Sequence, residues 1–228
     1  MSLGVNEKNT LIIADTHEPF SHKYYLDFCL ETKKRYKCNQ VFHIGDLVDN
    51  HALSYFDKDP DGLSSGDEYR KTRLKLEKWY KAFPKVKLCK GNHDKLLERK
   101  ALTHGISKHF VKDFRTVWGL PDDWEYEDYY YHLGIKIFHG TGFSGKFPHV
   151  QAMMANRMRV VIGHLHAVAG VEFSASDIDC VYGLAVGSGI DRKAFAFGYG
   201  KDLRYKPIVS CGVILDDGED PFVVRMKL

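Results

Sequence analysis

The sequence predicts an α/β fold built on a largely parallel central sheet, and three observations lead there. Short apolar runs recur along the chain at Leu11 to Ala14, Val41 to Ile44, Val86 to Cys89, Ile135 to Phe138 and Val160 to Ile162. Helical stretches separate the first three, and a cluster of Asp, His, Asn and Gly stands just beyond each of the five.

The runs are too short for helices and suit strands buried on both faces. Between the first two, His22 to Tyr36 reads as a helix. A longer one covers about Asp67 to Phe83, where Tyr69, Leu76, Tyr80 and Phe83 recur at helical spacing and Pro84 ends the element. Alternating strands and helices imply crossover connections and parallel pairing. The second half reads differently. Glu125 to Leu133 and Ile135 to Phe138 flank Gly134 as a hairpin, and Ile208 to Leu215 pairs with Phe222 to Met226 across Asp216 to Pro221. A second, mixed sheet packed on the first follows. Residues 1–228 show no linker, repeat or composition break, so one domain is expected, with Met1 to Leu3 read as an expression remnant.

Composition sets the outer bounds. Of 228 residues, 13% are aromatic and 28% charged, which is globular rather than disordered composition. No apolar run approaches the ~20 residues that span a bilayer, and Met1 to Thr10 is polar, so neither membrane insertion nor secretion is expected. Cys29, Cys38, Cys89, Cys180 and Cys211 form an odd set without a Cys-x-x-Cys pair, which points to a reducing, cytoplasmic setting. A net charge of +3 neither demands nor excludes nucleic acid. The basic runs at Lys33 to Lys37 and Arg70 to Lys81 read first as solvated helix faces and second as a nucleic-acid contact.

The five clusters carry the chemistry: Asp15-Thr16-His17, Gly45-Asp46-Leu47-Val48-Asp49, Gly91-Asn92-His93-Asp94, His139-Gly140 and Gly163-His164-Leu165-His166. Singly each is weak, since a Gly-Asp after a strand is more often a turn than a ligand. Together, all beyond strands of one sheet system, they should converge, because open α/β sheets gather ligands outside the carboxyl ends of their strands. Two divalent cations held ~3.5–4 Å apart need anionic ligands to offset their repulsion, and a shared carboxylate does this best. Asp46 is the obvious bridge. Imidazoles and an Asn amide oxygen fill the shells without excess charge and suit manganese, iron or zinc better than calcium.

In order and spacing these clusters resemble the calcineurin-like metallophosphoesterase superfamily, whose signature is Asp-x-His, Gly-Asp, Gly-Asn-His-Asp or -Glu, a lone His and Gly-His-x-His. The likeness spans Asp15 to His166. It implies a two-layer β-sandwich flanked by helices, the α/β/β/α arrangement, with two divalent ions at the strand ends, manganese foremost and iron, zinc or nickel as alternatives. By that likeness Asp15, His17 and His166 hold one ion, Asn92, His139 and His164 the other, and Asp46 bridges. His93 is then the catalytic residue beside the scissile ester, oriented by Asp49, and the nucleophile is a hydroxide between the ions.

The remaining histidines read more plainly. His43 lies inside a strand and should be a satisfied core residue, whereas His22, His104, His109, His132 and His149 lack ligand-like spacing. His51, in the loop after Asp49, is a candidate substrate contact.

Departures from subfamily patterns narrow the substrate. Protein Ser/Thr phosphatases carry Gly before the first Asp, Gly after the His, an Arg where Asn50 stands and Glu for Asp94, so that activity is not expected. Asp49 stands where purple acid phosphatases place a tyrosine. Gly-Asn-His-Asp is shared with phosphodiesterases and repair exonucleases, the latter usually with an added cap. A phosphate mono- or diester is the expected substrate. A DNA nuclease is the alternative, gripping its strand through Arg70, Lys71, Lys75 and Lys78 with Tyr129, Tyr130 and Tyr131 for stacking, and a non-catalytic scaffold is a remote third. Asp49 to Gly62, with Ser54, Phe56 and Asp59-Pro60, also resembles small phage-borne members. The Gly187 to Lys193 and Tyr199-Gly200-Lys201 segments read as turns first and as a phosphate contact through Arg192 second.

Overall fold

The computed structural model describes residues 8–55, 61–193 and 205–228. Phe56, Asp59-Pro60 and Tyr199-Gly200-Lys201 lie outside these residues, as do Met1 to Leu3. Among the described residues eleven strands form two sheets. The first, in the order β11-β10-β1-β2-β3-β4, comprises β1 (Thr10–Ile13), β2 (Gln40–His43), β3 (Val86–Cys89), β4 (Trp124–Glu127), β10 (Ser210–Leu215) and β11 (Asp220–Arg225). The second, β5-β6-β7-β9-β8, comprises β5 (Tyr129–His132), β6 (Ile135–Phe138), β7 (Arg159–Ile162), β8 (Ala169–Ala175) and β9 (Cys180–Val186).

Strands β1 to β4 pair in parallel, as the alternation of runs and helices requires. All four residues of β1 are buried, so the strand has no solvent face and its sequence shows no polar alternation. The carboxyl-terminal hairpin, expected in the second sheet, instead closes the first, because β10 runs antiparallel to both β1 and β11. In the second sheet β6, β7 and β9 are parallel, while β5 and β8 are antiparallel to their neighbours. The mixed character expected of the second half is therefore found.

One core fills the space between the sheets. Ile12 and Phe42 face Tyr130, Leu184 and Val186 there, in a core that also takes in Ile135, Ile137 and Val161. Helix α5 (Pro148–Asn156) covers the outer face of sheet two, where Ala152 and Met153 pack on Val160, Ile162 and Ala185. The period of two in β7 shows directly, since Val161 points into the core and its neighbours point toward α5. Helices α1 (Tyr25–Arg35) and α2 (Ser65–Ala82) pack on the other sheet through Tyr25, Cys29, Leu76 and Trp79, giving the α/β/β/α layering. Two short helices, α3 (Leu96–Thr103) and α4 (Phe114–Trp118), follow β3. Among the described residues no helix is long and apolar enough to cross a membrane.

Two further expectations need correction. The helix expected from His22 starts at Tyr25, because the His22 amide donates to the Gly189 carbonyl and is held out of helical register. The run Glu125 to Leu133 is two strands in different sheets rather than one arm of a hairpin. Trp124 is fully buried beside β3 with its indole N–H on the Phe83 carbonyl, which anchors β4 to sheet one. Asp128 breaks the run, its carboxylate 2.7 Å from Lys95 Nζ. Only Tyr129–His132 pairs with β6, across a Leu133-Gly134 turn in which both φ values are positive.

Candidate metal centre

The clusters meet where β1, β2, β3, β6 and β7 end. Asp15, His17, Asp46 and His166 form one group of potential ligand atoms within 4.8 Å of one another, and Asp46, His139 and His164 form a second. Asp46 belongs to both. Asn92 joins the second group, its Oδ1 lying 2.9 Å from His139 Nε2. Of these residues Asp15, His17, Asp46 and His139 are buried.

Spacings inside the groups test whether ions fit. Ligand atoms at about 2.1 Å from one cation stand about 3.0–3.4 Å apart at octahedral or tetrahedral angles. Here His17 Nε2 lies 3.1 Å from His166 Nε2 and 3.4 Å from Asp46 Oδ2. His166 Nε2 lies 3.3 Å from Asp15 Oδ2, and His139 Nε2 lies 3.2 Å from Asp46 Oδ2.

The outer nitrogens explain why the inner ones face each other. His17 Nδ1–H donates to Asp49 Oδ1 at 2.6 Å, and His139 Nδ1–H donates to the Ile44 carbonyl at 3.2 Å. Each ring thereby turns its Nε2 inward, the tautomer that a metal-ligating histidine needs. At His139 that nitrogen then faces the Asn92 and Asp46 oxygens, an all-acceptor arrangement that only a second ring proton or a cation reconciles. Buried Asp15 Oδ1 adds an oxygen with no hydrogen-bond partner among the described residues. The donor set fits divalent ions.

Proton affinities reflect the same crowding. Burial disfavours charge on His139, but the Asp46 and Asp15 carboxylates raise it from 6.5 to about 9. Burial likewise opposes charge on His17, and bonds to Asp46 and Asp49 raise it well above its usual value. Burial alone would raise Asp46, but the His139 and His93 charges hold it well below the ordinary carboxylate range. A proton on these histidines substitutes for a cation.

Backbone conformation aims the side chains. His17, Asp46, Asn50 and His164 all have positive φ, between 47° and 67°, a conformation that costs non-glycine residues energy and collects at functional sites. Gly91 is required for another reason. A Cβ there would stand 2.1 Å from both Asp46 N and Asp46 Oδ1.

His93 packs edge-on against His17, ring centroids 4.5 Å apart, and its backbone N–H donates to Asp46 Oδ1 at 2.8 Å. Its Nδ1–H donates to the main-chain carbonyl of Asp49 at 2.6 Å, while the Asp49 carboxylate is 3.5 Å away and engaged with His17. Asp49 thus reaches His93 chiefly through its backbone. His43 is buried and bonded to Thr16 Oγ1 and to the Gly45 amide. His51 Nδ1 lies 3.9 Å from Asp49 Oδ2, and Arg192 donates through Nε to the Pro207 carbonyl next to Ile208, whose amide bonds the His166 carbonyl.

Two supporting residues had no sequence signal. Asn50 Nδ2 donates to the His93 carbonyl at 2.9 Å, and Glu68, inside α2, accepts from the His51 and Ala52 amides. The expected nucleic-acid grip is partly consumed. Arg70 pairs with Asp67 at 2.7 Å and Lys75 with Glu18 at 3.3 Å, and Tyr130 is buried between exposed Tyr129 and Tyr131.

Solved structures align with most of this chain. Vacuolar protein sorting 29 from Cryptosporidium parvum matches over 97% of this chain and 92% of its own, at TM-score 0.50 and 14% identity. An archaeal phosphodiesterase matches over 96% and 99%, at 0.47 and 16%. A metallophosphoesterase from Sphaerobacter thermophilus matches over 97% and 89%, at 0.49 and 13%. No curated protein matches significantly. The family model of the calcineurin-like phosphoesterases matches residues 8–184, a stretch that contains all five clusters from Asp15 to His166, and the chain belongs to that family.

Proposed function

We propose that the protein is a dinuclear metal-dependent hydrolase of phosphate mono- or diesters. The observation that carries the reading is the sharing of Asp46 by two groups of ligand atoms with coordination-like spacing. Membership in a phosphoesterase family implies phosphate-ester substrates. Asp15, His17 and His166 would hold one ion, Asn92, His139 and His164 the other, and Asp46 both. Manganese heads the candidates, with iron, zinc and nickel behind it. Such ions lower the pKa of bound water and offset phosphate charge.

The chain's own groups do the rest. With Nδ1–H committed to the Asp49 carbonyl, His93 keeps Nε2 to carry a proton to the leaving oxygen or to bond charge developing there. Asp49 serves chiefly His17, whose ring it fixes and whose basicity it raises. The five cysteines, all free and four of them buried, accord with a reducing, cytoplasmic setting.

Hydrolysis of p-nitrophenyl phosphate, bis-p-nitrophenyl phosphate and a labelled oligonucleotide is the test, run after EDTA treatment and again with manganese, nickel, zinc or magnesium restored. Metal-dependent turnover of a small ester is expected. Turnover of the oligonucleotide alone would replace the reading with a nuclease. Bound metal without turnover of any substrate would replace it with a binding scaffold.

A further inference from the structure

Glu18 follows His17 in sequence and is 1% exposed. A carboxylate so placed needs several donors or a cation to offset lost hydration, and α2 supplies most of them. Trp79 Nε1–H donates to Oε1 at 2.7 Å, Ser21 Oγ–H donates to the same oxygen at 2.7 Å, and Lys75 Nζ stands 3.3 Å from Oε2. Lys75 also reaches the Ser21 carbonyl and hydroxyl.

The main chain of Glu18 is tied on its other sides. Its N–H donates to the Leu47 carbonyl, and its carbonyl accepts from the Asp49 amide, both at 3.0 Å, and from Thr72 Oγ1 at 3.2 Å. One residue earlier, the His17 amide donates to the Asp46 carbonyl at 2.9 Å. Glu18 is therefore the point where the loop carrying Asp15 and His17, the loop carrying Asp46 and Asp49, and helix α2 are joined. An apolar side chain of similar size would fill the space but would not fix the two loops against the helix by direction.

Resting on the two-ion reading above, we propose that Glu18 is a positioning residue for the ion held by Asp15, His17 and His166: hydrogen-bonded to Trp79 and Ser21 and ion-paired with Lys75, it fixes the register in which His17 meets Asp49 and turns its Nε2 inward. The other ion's exclusive ligands, Asn92, His139 and His164, lie on loops that Glu18 does not touch. Loss of Glu18 should thus act unequally on the two ions.

Calorimetric titration of the metal-free full chain with Mn²⁺ tests this, alongside far-ultraviolet circular dichroism. Wild type should take up two ions. Glu18→Ala should weaken one of the two by roughly 10–100-fold, the usual cost of losing a group that orients a ligand, and leave the other within a few-fold. Glu18→Gln keeps an oxygen for the Trp79 and Ser21 donors and should recover most of the lost affinity. Equal weakening of both sites, or unchanged affinity in a folded Glu18→Ala protein, overturns the proposal. Should Glu18→Ala fail to fold, Trp79→Phe, which removes the N–H donor and keeps an aromatic ring, should show the same one-sided loss, and its absence overturns the proposal equally. A wild-type protein that is folded but binds no Mn²⁺ sinks the two-ion reading itself, a result distinct from variants matching a metal-binding wild type.

Discussion

Removal of divalent ions should fix the sign with which stability responds to pH between about 6.5 and 9. In the metal-free protein burial opposes the His139 charge, but Asp46 and Asp15 overcome it and raise the group from 6.5 to about 9. A folded-state value above the unfolded one contributes stability that is complete below 6.5 and is lost as pH rises through about 9. That gap, at about 1.4 kcal/mol per pH unit, amounts to roughly 3 kcal/mol for His139. His17, raised by its bonds to Asp46 and Asp49, acts in the same direction. So does Asp94, which burial and the Asp46 charge push from 3.8 up to about 7, so that its stabilising proton is lost as pH climbs through that value. His43, His132, His149, His164 and His166 are lowered, chiefly by burial, so their opposing contribution levels off within about one pH unit above 6.5. Over the rest of the window His139 and His17 dominate, and the metal-free fold loses stability as pH rises.

Ions reverse this dependence, because they require neutral imidazoles and compete with the same protons. Urea denaturation at pH 6.5 and 9, once with EDTA and once with excess Mn²⁺ under argon, provides the assay. The midpoint should fall with pH in EDTA and hold or rise with Mn²⁺. Asp46→Asn removes the largest charge retaining the His139 proton and should flatten the EDTA slope. A metal-free midpoint that is constant or rises across the window would refute the assignment of these histidines to a site built for cations.

Three further outcomes follow from the geometry. His93→Asn should lower kcat by about 10²–10⁴-fold, the range for a lost proton donor, while Mn²⁺ affinity measured by calorimetry stays within a few-fold, since the backbone N–H on Asp46 is retained. Gly91→Ala should abolish high-affinity Mn²⁺ binding and cost about 1–3 kcal/mol or more in urea, because the new methyl meets Asp46 backbone that has no room to yield. Arg192→Ala should raise KM with kcat unchanged if the guanidinium, held on the Pro207 carbonyl, meets substrate phosphate, and an unaltered KM removes that contact.

Much of the fold was legible because the parallel strands are buried on both faces. Thr10–Ile13 and Arg159–Ile162 stand out as apolar runs for that reason. Strand β8 did not stand out, since it lies at a sheet edge with most residues exposed, and β9 carries Gly183, where a Cβ would meet the His149 carbonyl at 2.4 Å. The β4–β5 boundary was hidden for a different reason. Glu125 to Leu133 reads as one strand, and it is divided by Asp128 and by the pairing of β4 on β3 and of β5 on β6. Side chains that act through the main chain were equally silent. Glu68 looks like any polar residue of α2, yet its carboxylate caps the turn after Asp49.

The clusters were legible for the opposite reason, that the proposed ligand chemistry limits the residue types at each position whatever surrounds them. What the sequence could not show is how the loops are held before any ion arrives. His17, Asp46 and His164 sit at positive φ, a cost of order 1–3 kcal/mol each at most. Main-chain bonds lace the same loops together, His17 to Asp46, Gly163 to His139 and Gly189 to Asp15. The strain persists because these bonds leave the loops no relaxed alternative that keeps the strands paired. Rigid loops with inward-turned nitrogens mean that little conformational entropy remains to be lost when cations bind, so affinity should depend on removing protons more than on ordering the chain.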